Sequence, residues 1–226
     1  MKRILLPFIA LPALLLAPST SSAADHYDMF ESKDVIGSQE ERHHDIVDLF
    51  AFPSGSGKLV MIMNTHNRAH ADSAFLDTIH YSFRMRTGAV REQGAEYRFT
   101  CTFDAGAVQT ATCITYRIEN GTATPVKGGS TVLKVGDKSG GTNPKLRAFA
   151  GLRADAFFGD AVGLAIMVKT NTLSFDPTGL VPHSLRNLTY NTNDLSIVLE
   201  VDVKGLLGEN ESILRVAAET AKKKGQ

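Results

Sequence analysis

Residues Tyr97 to Ile118, YRFTCTFDAGAVQTATCITYRI, decide the fold class. The segments Tyr97–Phe103 and Thr110–Ile118 alternate between apolar and polar side chains, the period of a half-buried strand. Asp104-Ala105-Gly106 lies between them and supplies turn chemistry. A hairpin centred near Ala107 sets Cys101 opposite Cys113, Phe99 opposite Thr115 and Tyr97 opposite Arg117. Cys101 and Cys113 are the only cysteines. Their spacing matches neither a C-x-x-C redox motif nor a zinc-ligand pair, so a structural cross-strand disulfide is expected.

The same patterning extends in both directions. Asp45–Phe52 (DIVDLFAF) reads as a strand ended by Pro53 and the Ser54-Gly55-Ser56-Gly57 turn, with Lys58–Asn64 returning as its hairpin partner. His80–Met85 and Thr131–Val135 are further strands, with Gly121–Val126 read as a turn. Ser196–Val203 sets Ile197, Leu199 and Val201 against Ser196, Val198 and Glu200. Leu146–Asp160 reads as irregular, with short helical turns near Ala154–Phe158, and Ile213–Ala218 as a last strand or the start of a helix. The 19 glycines, the absence of Trp and the recurring Thr fit many short strands joined by turns. The expected fold is mainly β: one antiparallel sandwich or barrel-like domain with short helical turns over residues 24–226.

Residues 1–23 have the three parts of a secretory signal peptide. Lys2 and Arg3 are basic, Ile4–Leu16 is apolar, and Ser19–Ala24 are small. The apolar run is too short for a stable membrane anchor, and a polar acidic segment follows it. Cleavage after Ala23 or after Ala24 is equally allowed by size. The expected location is periplasmic or secreted, the compartments in which a disulfide persists. The leader holds two of the 24 basic residues and none of the 24 acidic ones, so the remainder is slightly acidic. That balance leaves no electrostatic footprint for nucleic acid. Lys222-Lys223-Lys224 is read as a solvated tail.

Four segments in order resemble an uncharacterised secreted bacterial family, designated only as domain of unknown function 4331. Asp45–Phe52 resembles its D-x-x-D-L-Y-A-F motif, and His26 its S-S-H start. Gly151–Asp160 (GLRADAFFGD) is similar to its G-x-R-x-D-P-F-F-x-D segment. Asn193–Val201 (NDLSIVLEV), followed by Leu206-Leu207, is similar to its N-x-x-x-I-x-x-E-V-P…L-L stretch. Phe50, Ala156 and Asp202 depart from that pattern, standing where Tyr, Pro and Pro are usual. The resemblance implies export and a β-rich fold, and no activity.

Three constellations could hold a metal. Cleavage after Ala23 would expose Ala24-Asp25-His26. Its amine, two backbone amides and imidazole suit square-planar Cu(II) or Ni(II), and cleavage after Ala24 abolishes that geometry. The second gathers Asp28, His43, His44, Asp45 and Asp48, joined in space by Asp155 and Asp160. Such a set suits zinc through imidazole and carboxylate, or calcium through carboxylate and carbonyl oxygens. Its plain structural alternative is Arg153 or backbone N–H groups pairing with Asp45 or Asp48. Third, His66 and His70 would share a face only if the intervening stretch were helical, and a loop is the simpler reading. No nucleophile elbow, H-E-x-x-H, P-loop or dinucleotide motif occurs. The function expected is therefore an exported, non-enzymatic binding or accessory module for an unidentified ligand, with a metal ion as candidate. A metal-dependent carboxylate–histidine enzyme and a purely structural envelope protein are the alternatives.

Overall fold

Alternating apolar side chains are buried on one face only if a second layer covers them, and here that layer is another sheet. The computed structural model describes residues 45–66, 68–87, 95–156, 192–204 and 214–223. The strands are β1 (Ile46–Pro53), β2 (Leu59–Thr65), β3 (Ile79–Thr87), β4 (Glu96–Phe103) and β5 (Thr110–Glu119). They continue as β6 (Thr122–Lys134), β7 (Gly141–Thr142), β8 (Leu146–Ala154), β9 (Asn193–Val201) and β10 (Leu214–Lys222). One sheet runs β1-β2-β9-β8-β7 and the other β10-β3-β4-β5-β6, with antiparallel pairing throughout. Each sheet has two ends, so the molecule is a sandwich and not a closed barrel.

The central hairpin has the expected register: Cys101↔Cys113, Phe99↔Thr115 and Tyr97↔Arg117. Inward from the first sheet come Met61, Met63, Leu146, Ile197, Leu199 and Val201. Inward from the second come Ile79, Tyr81, Phe83, Met85, Phe99 and Phe103, all buried.

Three expectations are overturned. Residues Leu146–Ala154 are not irregular: they form β8, in which Leu146, Ala148, Ala150 and Leu152 meet the inward row of β9, while Phe157 and Phe158 of the expected helical turns lie outside the described residues. Gly121–Val126 is not a turn. Asn120 and Gly121, with φ of 49° and 78°, make a two-residue hairpin loop closed by Glu119↔Thr122, and β6 begins at once. Residues from Leu214 are strand, the first of the two alternatives open for this segment. Lys222 ends that strand opposite Ile79, and the Lys223 N–H donates to the Thr78 carbonyl at 2.8 Å, so only Lys224 remains of the proposed tail and it lies outside the described residues. Among the described residues no helix is long and apolar enough to cross a membrane. Residues 1–23, expected to be a leader, lie outside them.

The outer face of the second sheet is tied by charge. Glu96 sits beneath Arg84 and Arg86, with Arg84 Nε donating at 3.0 Å and Arg86 Nε at 2.7 Å. Burial opposes the charged form of Glu96, but the arginine hydrogen bonds prevail and hold its carboxyl below the ordinary value of 4.5. A depressed folded-state pKa contributes stability above the unfolded value and loses it as pH falls through the folded one. Both guanidinium groups are more than a third exposed, so solvent screening limits the effect. Glu96→Gln is expected to cost about 1–2 kcal/mol at neutral pH. In urea titrations the gap between variant and parent should close below pH 4.5. A gap that persists at acid pH would assign the loss to packing instead.

Candidate metal centre

Three carboxylates from separate parts of the chain meet at one end of the first sheet. The register of β1 on β2 shifts between Ile46↔Thr65 and Asp48↔Asn64. The extra residue, Val47, is buried. A bulge of this kind re-aims the following side chain. It sets Asp48 beside Asn64, on the face of β2 opposite Met61 and Met63. Asn64 Nδ2 donates to Asp48 Oδ2 at 3.0 Å, and Ser196 Oγ donates to Asn64 Oδ1 at 2.7 Å. A chain of two hydrogen bonds across three strands thus orients the half-buried Asp48.

Asp155 immediately follows β8. Its N–H donates to the Thr192 carbonyl, and Thr192 Oγ1 donates to Asp155 Oδ2, both at 3.1 Å. Asp194 stands near the start of β9, opposite Arg153 in the β8–β9 pair. Asp155 is 6% exposed and Asp194 0%. One oxygen from each of Asp48, Asp155 and Asp194 lies within 4.8 Å of the others. Like charges at that distance repel by roughly 3–4 kcal/mol per pair at an effective dielectric near 20. Such a group needs protons, donors or a cation to balance it.

Arg153 does not fill that role. Its guanidinium carbon lies 3.7 Å from the Phe149 ring centroid, and Nη1 donates to the Leu152 carbonyl at 2.9 Å. The expected pairing of Arg153 with Asp45 or Asp48 is therefore replaced by a cation–π stack. An open groove of about 620 Å³ lies nearby, lined by Gln109, Gly136, Gly151, Arg153 and Leu195 among others, and none of the three carboxylates lines it.

Of the residues singled out in the sequence, Asp48 and Asp155 are brought together. His26, Asp28, His43, His44 and Asp160 lie outside the described residues. Asp45 precedes β1 and is not one of the three. His66 is buried in a left-handed turn with φ of 51°, whereas His70 is exposed and its N–H donates to Ser73 Oγ, so the two share no helical face. Asp194 was not singled out. The available signal was its phase: two residues before Ser196, it shares the non-core face of the alternating β9. Three of the four segments that carry the family resemblance contribute one carboxylate each. The chain matches no protein-family model, no curated protein and no solved structure.

Proposed function

We propose that the protein is an exported, non-enzymatic binding module whose ligand is a hard divalent cation, calcium in the first instance. The observation that carries this reading is the convergence of Asp48, Asp155 and Asp194 within 4.8 Å. An all-oxygen donor set favours calcium over zinc or copper, which prefer imidazole and thiolate. Asn64 and Thr192 support it by fixing the orientation of two of the carboxylates, as partners behind a metal's ligands do. Export rests on the three-part leader, and the cross-strand disulfide is compatible with it. The resemblance to domain of unknown function 4331 fits the same reading, since three of its four separated segments each supply a carboxylate to the proposed site.

A cation bound only by the folded state raises stability by RT ln(1 + [L]/Kd), about 2.7 kcal/mol at a hundredfold excess over Kd. Calcium added to chelator-treated mature protein should therefore raise the midpoint of thermal unfolding, and calorimetric titration should give one site. Asp194→Asn should abolish both effects. No calcium-dependent shift in the parent would sink the proposal. A shift produced by zinc or Cu(II) and lost in His26→Ala would move the site to the new N-terminus.

A further inference from the structure

Among the described residues β1 ends its sheet with an edge that no other strand pairs. The backbone of Ser54 donates to Lys58 at 2.7 Å, which makes 54/58 a hydrogen-bonded pair and, two by two, Phe52/Val60 and Phe50/Ile62 as well. Leu49, Ala51 and Pro53 consequently turn their backbone groups away from β2. Pro53 falls where its missing N–H removes no ladder bond. Among the described residues nothing pairs with this edge. Its side chains are apolar on both faces: Leu49 is 37% exposed, Phe50 36% and Phe52 46%. No charged residue occurs from Leu49 to Gly57.

Free edges are normally blunted by charge, proline, bulges or short length. The edge strand β6 carries Pro125, Lys127 and a register shift, β10 carries Arg215, Glu219 and Lys222, and β7 has two residues. β1 has its own register shift after Ile46 and ends in Pro53, but the stretch Leu49–Phe52 between them carries no charge, proline or bulge. A strand added there must be uncharged along its length and apolar on both faces, and β1 itself meets that requirement.

We infer that β1 is a self-association edge, pairing antiparallel with β1 of a second copy about a two-fold axis through Ala51. Ala51 then exchanges both backbone hydrogen bonds with the partner's Ala51, and the Leu49 N–H donates to the carbonyl of the partner's Pro53. Phe50 lies opposite the partner's Phe52, and Phe52 opposite the partner's Phe50, which places four rings on one face of a continuous ten-stranded sheet. Such a contact is isologous and closes at two copies. One strand pair is a small interface, so the dimer dissociates on dilution.

Sedimentation equilibrium of the mature protein over a dilution series, with chelator present to exclude the cation site, tests this. The parent should move from twice the monomer mass to the monomer mass as it is diluted. Ala51→Pro removes an N–H that faces the free edge and leaves the β1–β2 ladder intact, so it should be monomeric throughout. Phe52→Lys should behave likewise and decides the matter if Ala51→Pro fails to fold. A parent that is monomeric up to its solubility limit overturns the inference. So does a dimer that survives both substitutions, or assembly that grows beyond two copies.

Discussion

Phe75→Ala is expected to destabilise the protein by about 3–5 kcal/mol, near the top of the range for removing a buried aromatic ring. Phe75 belongs to no strand, yet it is 2% exposed. Its ring stacks on Phe103 with centroids 4.0 Å apart and planes 11° from parallel, and meets Tyr81 edge-on at 5.5 Å. Tyr81 and Phe103 complete the triangle at 5.4 Å. Aromatic pairs of this kind add about 0.5–1.5 kcal/mol beyond the area they bury.

The size of the loss depends on whether the surroundings can collapse into the space left behind. Here the loop is pinned. Gln109 accepts from the Phe75 N–H at 2.9 Å and donates through Nε2 to the carbonyls of Phe75 and Asp104, at 2.7 and 2.8 Å. The Tyr81 hydroxyl accepts from the Leu76 N–H at 3.2 Å, and burial pushes that phenol well above its ordinary range. With its backbone held at both ends, the loop keeps the cavity open. Urea unfolding should show a lower midpoint for Phe75→Ala with little change in slope, and Phe75→Leu should lose less. A cost below about 1 kcal/mol would mean that the loop relaxes into the space and that Gln109 does not pin it.

Phe75 also shows where the sequence ceases to be legible. The hairpin about Ala107 could be read to the residue because its signal is local: two period-two runs, a turn between them and a cysteine in each. A plug residue in a loop has no period, and its burial depends on which strand ends meet it. β8 escapes a local reading for a related reason. Its inward row includes Ala148 and Ala150, its outward row is broken by Gly151, and alanine and glycine are weak strand formers. Its place between β7 and β9 overrides that preference. Residues Asn120-Gly121 carried a strong hairpin signal, and the turn was placed too late only because Pro125 and the following glycines continue to look loop-like.

The candidate site was half legible for the same reasons. Asp48 lies in the first strand, where a carboxylate among apolar residues marks itself. Asp155 lies in a similar setting at the end of β8. Their meeting depends on β9 inserting between β2 and β8, a non-local order that no local pattern reveals. Asp194 is the residue that insertion brings along. β9 therefore serves twice: its inward row fills the core, and its outward row places a carboxylate and, through Ser196 and Asn64, helps orient Asp48.

Removing the disulfide is expected to cost about 3 kcal/mol, chiefly by releasing the unfolded chain. Asp104 N–H donates to the Thr110 carbonyl at 3.1 Å, which makes 104/110 a hydrogen-bonded pair. Cys101/Cys113, three steps further along the same register, is then a non-hydrogen-bonded pair, the closer of the two kinds, and its Cα atoms are 4.0 Å apart. The bond thus forms where the folded hairpin already holds the sulfurs together. It changes the native ladder little and restricts the denatured ensemble more. Cys101→Ala with Cys113→Ala should lower the urea midpoint, and the slope should rise as the uncrosslinked chain exposes more surface. Both cysteines are almost fully buried, at 0% and 1%, so reductant should act on the parent only as fast as the sandwich opens. Reductant in denaturant should then bring the parent to the midpoint of the double variant. An unchanged midpoint after complete reduction would show that the hairpin is already ordered in the denatured chain, leaving the crosslink nothing to constrain. If the loss is as expected, chain whose two cysteines are kept reduced is measurably less stable than chain in which they are joined.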